Sequence, residues 1–444
     1  MASLRTLAAL AAGRFTHFAL RLLGRASTTL PGRVALLIDP RFLRHVATRA
    51  ERFVFVTGTN GKTTTNNILC QSLRRAGFHV FANLEGANLR TGIATAYIRS
   101  PGKYDIGCIE SDEGVFPLVA RDIPPALVVV TNFFRDQLDR YGEIDTTVKK
   151  LGAALEATRA ALLLNADDPF TARLAMEGRE VRYFGVAQNL GLPDENAARE
   201  SVYCPKCGKK LSFDYFQYAQ VGKYGCSCGF KTPGHDWSGI GASFDTRWRF
   251  AVRSADGDTA LDFGYSGVYN LYNAVAAYAA GRMLGVKADT LRESLSAFEY
   301  RLGRQENFRI GGQDRLLVLV KNPAGYDQVL DMAVRDSSEK NLLLVLNDNV
   351  ADGRDISWIW DVSYEKLLSD GKLKSVLCSG KRAFDLAVRL KYAGLPASMV
   401  SVEPDVRTAL SIAVSAPTKT FILPTYTALF FSRGVLSGIT RREK

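Results

Sequence analysis

What this chain of 444 residues has little of sets the first limits on what it is. It carries only seven cysteines and four histidines. Seven cysteines are too few to staple a chain of this length as a disulfide scaffold. Uninterrupted apolar runs are short. Stretches such as Leu342–Leu346 read as core strands and fall far below the roughly 18–20 residues that a bilayer span needs. Arg14, His17 and Arg21 interrupt the apolar N-terminal region, so a secretory signal is not expected there. Internal repeats, low-complexity tracts and blocks of like charge are also missing. The last absence matters because the net charge is +12, with 57 basic residues against 45 acidic ones. Such an excess favours anionic partners. Its dispersion along the chain lacks the blocks that mark a nucleic-acid-binding tail, but the charge by itself does not choose among nucleotides, nucleic acid and a membrane surface.

What is present is ordinary for a globular protein: 47% hydrophobic and 23% charged residues. The length predicts two to four domains, each able to bury its own core. Four of the cysteines cluster as Cys204-Pro-Lys-Cys207 and Cys226-Ser-Cys228, a pattern of metal binding in a reducing compartment. A cytoplasmic location is expected.

Residues 1–45 form a lead-in. Leu4, Leu7, Ala11, Phe15, Phe18 and Leu22 recur at helical spacing, with Arg14, Arg21 and Arg25 on the flank of the stripe. Such a stripe either packs on the next domain or rests on a membrane surface. From Arg52 an α/β rhythm begins. Residues 52–57 read as a buried strand, followed by a Gly-rich turn and a helix over about 62–76. Further strands are expected at 79–83, 106–110, 127–131 and 161–165, separated by helices, which argues for a parallel sheet. Residues 200–235 break the rhythm and read as a small insertion. A second α/β rhythm follows with strands at 316–320, 342–346, 375–378 and 420–423. Gly311-Gly312 offers a hinge at the boundary.

The strongest chemical signal is Thr57-Gly58-Thr59-Asn60-Gly61-Lys62-Thr63-Thr64, between a predicted strand and a predicted helix. Gly58 and Gly61 let the backbone turn its N–H groups toward phosphate oxygens, and the helix N-terminus adds partial positive charge. Lys62 suits the β/γ-phosphates and the Thr63 hydroxyl suits Mg²⁺. The spacing is tighter than the general phosphate-loop pattern. Mg²⁺ takes hard oxygen ligands. Glu110 ends a predicted strand on the side where the loop lies, with Asp112 and Glu113 close behind, so Glu110 is the expected metal ligand and catalytic carboxylate.

Further segments combine with that loop: Thr131-Asn132 through Asp136-Gln137 to Gly142, Asn165-Ala-Asp167-Asp168-Pro169, Gly267-Val-Tyr-Asn270-Leu-Tyr-Asn273, and Gly303-Arg304-Gln305-Glu306. In this order the series resembles the central domain of the Mur ligases, which make peptidoglycan precursors. The resemblance implies transfer of the ATP γ-phosphoryl group to a carboxylate and displacement of phosphate by an amine. It implies ATP and Mg²⁺ as cofactors, Lys62 and Thr63 on phosphate and metal, Asn270 or Asn273 near the adenine, and Arg304 at the nucleotide. Gln137 stands where amino-acid-adding members carry histidine, and Val320-Lys-Asn-Pro323 where they carry an acid. Lys149 and Lys150 lie near the place of their carbamylated lysine.

The cysteine pairs narrow the resemblance. Four thiolates at this spacing suit a closed tetrahedral Zn²⁺ site that staples a small module. A zinc ribbon inside such a central domain, followed by Asp352-Gly-Arg-Asp355-Ile-Ser-Trp358-Ile-Trp360, resembles the branch of the family that amidates lipid II. Members of that branch work with a GatD-like glutaminase subunit, which supplies ammonia to convert the D-glutamate α-carboxylate of the stem peptide to D-isoglutamine. The chain itself lacks a Gly-x-Cys-x-Gly turn, and only Cys70, Cys108 and Cys378 remain outside the ribbon, so it is not expected to make ammonia from glutamine. Asp355 is the candidate to orient the partner's catalytic histidine or to shape the ammonia path. It fits a helix cap equally well.

The expected architecture is α/β: a Mur ligase-like central P-loop domain over 46–308 with an inserted four-cysteine zinc ribbon, then a second Rossmann-like α/β domain over 309–444. Lipid II and the inner face of the membrane are the expected substrate and surface, with no nucleic acid partner. An amino-acid-adding ligase, a nucleic-acid-binding P-loop ATPase and a non-catalytic scaffold are the competing readings.

Overall fold

A computed structural model describes residues 3–23, 28–84, 87–135, 144–190, 202–299 and 305–442. Arg25, Gln137 and Arg304 lie outside these. The chain divides into two compact units, the first made mainly of residues 1–298 and the second mainly of residues 299–444.

Three helices open the first unit: α1 (Leu4–Leu22), α2 (Leu30–Ile38) and α3 (Phe42–Ala47). Ala35 of α2 and Phe42, Leu43 and Val46 of α3 are fully buried and join the main core. The helical spacing of α1 is as expected, but the apolar stripe is not the face that packs. Thr6, Ala9 and Gly13 are buried, while Leu4, Leu7, Ala11, Phe15, Phe18 and Leu22 are exposed. Small side chains let α1 approach closely: a Cβ on Gly13 would meet Ile98 Cδ1 at 2.6 Å. Thr6 Oγ1 also donates to the buried Asp39 carboxylate over 2.7 Å.

The sheet of the first unit contains β1 (Ala50–Thr57), β2 (Val80–Ala82), β3 (Tyr104–Glu110), β4 (Leu127–Val130), β5 (Ala161–Asn165) and β6 (Val181–Val186), all parallel. A hairpin, β7 (Ser212–Tyr218) and β8 (Val221–Gly225), stands apart as a two-stranded sheet. The strands β9 (Trp237–Phe244), β10 (Trp248–Ser254) and β11 (Gly257–Phe263) extend the main sheet: β9 runs parallel to β6, and β10 and β11 are antiparallel. The spatial order is β11-β10-β9-β6-β5-β4-β1-β3-β2. Strand β1 thus lies between β3 and β4, with helix α4 (Lys62–Arg75) leaving its carboxyl end and α5 (Arg90–Arg99) following β2. In such a sheet the crevice at the carboxyl ends of the central strands is where ligands collect.

The second unit holds β12 (Gln305–Ile310), β13 (Gln313–Val318), β14 (Lys340–Val345), β15 (Leu373–Ser379), β16 (Val400–Val402) and β17 (Lys419–Pro424), in the order β12-β13-β17-β14-β15-β16. Among the described residues of this unit, the β12–β13 pair alone is antiparallel. Gly311-Gly312, read from the sequence as a hinge, makes the turn between these two strands, both glycines at positive φ. The run at 342–346 reads as continuously apolar because the sheet is covered on both faces. Leu342 and Leu344 face one core and Leu343 and Val345 the other.

Candidate active site and metal centre

The loop from Gly58 to Gly61 is held from three sides. Gly58 and Gly61 take φ values of +117° and +84°, which L side chains rarely adopt. The space is also closed: a Cβ on Gly58 would meet Thr131 Oγ1 at 2.5 Å, and one on Gly61 would meet Asn273 Oδ1 at 2.1 Å. Two residues just past β4 clamp the loop. Asn132 accepts the Asn60 N–H at its Oδ1 over 2.9 Å, and its own carbonyl accepts the Thr59 N–H over 2.8 Å. Thr131 Oγ1 donates to the Asn60 carbonyl over 2.7 Å.

Lys62 opens α4 and is buried. Its Nζ reaches the Thr59 carbonyl at 3.1 Å, the Gly58 carbonyl, and Glu113 Oε2 at 3.0 Å. Burial alone would lower the Lys62 pKa. Glu113, Asp112 and Glu110 outweigh it and hold the ammonium above its ordinary value. Thr63 Oγ1 donates to Glu110 Oε1 over 2.8 Å. Glu110 is completely buried at the carboxyl end of β3, its backbone exchanging hydrogen bonds with the Asn83 side chain at 2.9 and 2.8 Å. Its second oxygen, Oε2, is buried and has no hydrogen-bond partner among the described residues. An orphaned carboxylate oxygen next to a threonine hydroxyl is the donor set that a hard divalent cation takes. The geometry fits Mg²⁺ held by Thr63 and Glu110.

Asn270 and Asn273 lie on the first turns of the helix Val268–Met283, both buried. Asn273 Oδ1 accepts the Thr65 hydroxyl over 3.3 Å, so this helix closes on the start of α4, and Asn273 Nδ2 donates to Asn270 Oδ1 over 3.3 Å. Thr64 is buried beside Thr63. Lys149 is exposed and ion-paired with Asp145 over 2.6 Å.

Thr131-Asn132, Asp167-Asp168 and Glu113, the Lys62 partner, have tasks in the site that the sequence does not announce. Asp168 accepts the Phe133 and Phe170 N–H groups over 2.8 and 3.0 Å, and burial pushes its pKa up to about 7. Asp167 binds His235 Nε2 over 2.8 Å, the Tyr272 hydroxyl over 2.6 Å and the Val186 N–H over 2.8 Å. It thereby ties β5 to the segment before β9 and to the helix Val268–Met283. Acids that close a strand before a short helix were the signal available.

The four cysteines converge as expected. Cys204 and Cys207 precede β7, and Cys226 and Cys228 follow β8, with all four Sγ atoms within 4.8 Å of one another. The Cys204–Cys228 and Cys207–Cys226 separations are 3.7 and 3.5 Å. A regular tetrahedron with Zn–S near 2.3 Å requires sulfur separations of about 3.8 Å. The sulfur cage therefore fits Zn²⁺. The module needs such a staple: among the described residues its core is Ala172, Cys204, Leu211 and Tyr224, with Phe213, Cys226 and Phe230 at its edge.

In the second unit Asp355 is exposed. Its Oδ1 accepts the Ser357 N–H over 2.8 Å at the start of the 3-10 turn Ser357–Asp361, and that bond holds its carboxyl below the usual range. Asp352 is the buried acid of the segment, accepting the Thr427 N–H over 2.7 Å. Trp358 packs on Tyr326, whereas Trp360 is half exposed, with Arg389 over its ring and Tyr392 at its edge. Val320-Lys-Asn-Pro323 serves the backbone: Asn322 Oδ1 caps the helix Pro323–Arg335 through the Gly325 N–H at 2.9 Å.

Comparison with known proteins agrees with this arrangement. The Mur ligase middle domain family matches residues 56–281, and the MurT ligase C-terminal family matches 319–429. The lipid II isoglutaminyl synthase (glutamine-hydrolyzing) subunit MurT of Staphylococcus aureus strain COL is 38% identical, over 92% of each chain. Its counterpart from Streptococcus pneumoniae is 37% identical over 99% of each. Among solved structures, the pseudomurein peptide ligase type C from Methanothermus fervidus aligns with a TM-score of 0.68 at 22% identity, over 87% of this chain and 79% of that one. MurF ligase from Thermotoga maritima in complex with ADP aligns at 0.65 and 14%, over 92% of this chain and 85% of that one. These two likenesses show the fold. The chain belongs to the MurT branch of the Mur ligase family.

Proposed function

We propose that this chain is the ligase subunit of a lipid II isoglutaminyl synthase and works in peptidoglycan biosynthesis at the cytoplasmic face of the membrane. The substrate is the D-glutamate α-carboxylate of the stem peptide. A carboxylate oxygen attacks the γ-phosphorus of ATP, ADP leaves, and an acyl phosphate forms. Ammonia then attacks the acyl carbon, phosphate departs, and the amide of D-isoglutamine remains.

The observation that carries this reading is the pairing of Thr63 with Glu110 beside the buried Lys62. Both reactants are anionic, so the barrier is dominated by repulsion, and fixed positive charge at the transferring group lowers it. Lys62 supplies a permanent ammonium, kept charged by the acids around it. The Gly58–Gly61 backbone and the N-terminus of α4 supply oriented N–H groups. Bound Mg²⁺ would neutralise phosphate charge as a Lewis acid, with Thr63 and Glu110 holding it. Arg304 would add a second cation at the nucleotide. Zn²⁺ in the Cys204, Cys207, Cys226 and Cys228 cage has no open position and is structural.

Ammonia comes from a GatD-like glutaminase partner, with Asp355 presented to it as an exposed, ionised carboxylate. Cys378, Cys70 and Cys108 are all buried, which supports an external source of nitrogen. Hydroxylamine trapping tests the reaction class. With lipid II, ATP and Mg²⁺ but no ammonia, a stem-peptide hydroxamate is expected. Its absence while ATP is consumed would remove the acyl phosphate.

A further inference from the structure

The apolar stripe of α1 has no place in the core of its own unit. Phe15 is 74% exposed, Leu22 73% and Phe18 59%, and Leu4 and Leu7 are open as well. At 100° per residue these side chains share one face of the helix, opposite the Thr6, Ala9 and Gly13 face by which α1 packs. Water is a poor solvent for so continuous an apolar strip, and monomeric proteins rarely leave one uncovered. The charge around it selects the occupant. Arg14 and Arg21 run along one border of the strip, both exposed. The first 50 residues contain eight arginines and a single acid, Asp39. Asp39 is buried and bonded to Thr6, on the packed face of α1 and away from the exposed strip. Neighbouring α5, which contacts α1, brings Arg99 and no acid, while its Arg90 is ion-paired with Asp122. On α2, Leu30, Arg33 and Leu37 repeat the pattern at i, i+3 and i+7.

We infer that α1 is an interfacial helix that docks the chain on an anionic bilayer, lying in the headgroup plane with Phe15, Phe18 and Leu22 in the acyl boundary and Arg14 and Arg21 on lipid phosphates. It does not cross the bilayer; no described helix is long and apolar enough to do so. Docking of this kind depends on neither the nucleotide site nor the ligase chemistry, and its test contains neither ATP nor peptide substrate, so the two accounts fail separately.

The test is vesicle flotation of the full chain at low salt. One set of vesicles contains phosphatidylglycerol and phosphatidylcholine in equal parts, the other phosphatidylcholine alone. The expected result is flotation with the anionic vesicles, weakened by high salt, and much less with the neutral ones. The triple change Phe15→Ser, Phe18→Ser and Leu22→Ser touches only exposed side chains and should lower the floating fraction by about tenfold while the circular dichroism melt stays unchanged. Arg14→Glu with Arg21→Glu should abolish the preference for anionic lipid. Failure of the unchanged chain to float, or equal flotation of the triple variant, would overturn the inference. So would stripe-dependent dimerisation by light scattering without vesicle binding, which would assign the strip to a second copy of the chain.

Discussion

Thr63 Oγ1 and Glu110 Oε1 are 2.8 Å apart, and the other oxygen of that carboxylate, fully buried, has no hydrogen-bond partner among the described residues. An acid left in this condition is costly to the fold, by about 1–3 kcal/mol for an unmet buried polar atom. A carboxylate with one oxygen kept open at the carboxyl end of β3 makes sense as half of a cation site.

Glu110→Gln separates the two roles. The amide keeps the size and an acceptor for Thr63 while removing the charge. Stability without nucleotide should stay the same or rise by about 1–2 kcal/mol, and Mg²⁺-ATP-dependent turnover should fall by about 10²-fold or more. Melting temperatures with and without Mg²⁺-ATP, set beside turnover, check this. A variant as active as the parent would remove Glu110 from the metal site.

Asp168 predicts a pH dependence of stability. Its carboxyl sits at about 7 in the fold because burial disfavours the anion. In the unfolded chain it titrates near 4. Between these values the folded state binds more protons than the unfolded state, so the Asp168 contribution falls as pH rises through that window and is flat above it. From about pH 5 to about pH 8 the fold should lose about 2–3 kcal/mol from this group. Asp168→Asn should flatten that part of the profile, measured by urea unfolding at both pH values. An unchanged profile would show that Asp168 titrates normally.

The sulfur cage predicts about one tightly held zinc ion per chain. Its removal should loosen residues 202–235 locally, since among the described residues the core beside the cysteines is Ala172, Leu211 and Tyr224. Elemental analysis gives the metal content, and limited proteolysis before and after chelation gives the site of loosening. Cys228→Ser should lose the metal and show the same new cleavages. A chain free of zinc with an intact, protease-resistant ribbon would contradict the closed-site account.

Asp355 has a backbone bond to Ser357 and an exposed carboxylate, so a cap and a partner-facing group coexist in one side chain. Asp355→Asn retains an acceptor for the Ser357 N–H but lacks the charge. If the charge serves the glutaminase, glutamine-dependent amidation should fall by about 10²-fold or more while ammonium-dependent amidation is unchanged. Equal activity from both nitrogen sources would leave Asp355 as a cap alone.

How much of this was legible follows the range of the interactions. The strand, loop and helix around Lys62 are contiguous, and their buried run, glycines and helix start can be read from neighbouring residues. Glu110 was legible because it closes a strand, and the cysteines because spacing encodes their geometry. The pairing of Lys62 with Glu113, the Asn132 clamp and the Asp167–His235–Tyr272 junction span about 50 to 100 residues of chain and leave no local pattern. The lead-in shows the same limit. Periodicity reveals that α1 has two faces, but close packing at Gly13 and the Thr6–Asp39 bond decide which one is buried. Gly311-Gly312 misled because a hairpin turn and a hinge ask the same freedom of the backbone.

Mass spectrometry of lipid II incubated with this chain, ATP and Mg²⁺ tests the central claim most directly. One sample contains ammonium alone, and the other contains glutamine with the glutaminase subunit. The account predicts conversion of one stem-peptide carboxyl to an amide in both samples, lost in Lys62→Ala. An unmodified stem peptide in both, from a folded zinc-loaded complex, would contradict it, as would amidation that survives Lys62→Ala.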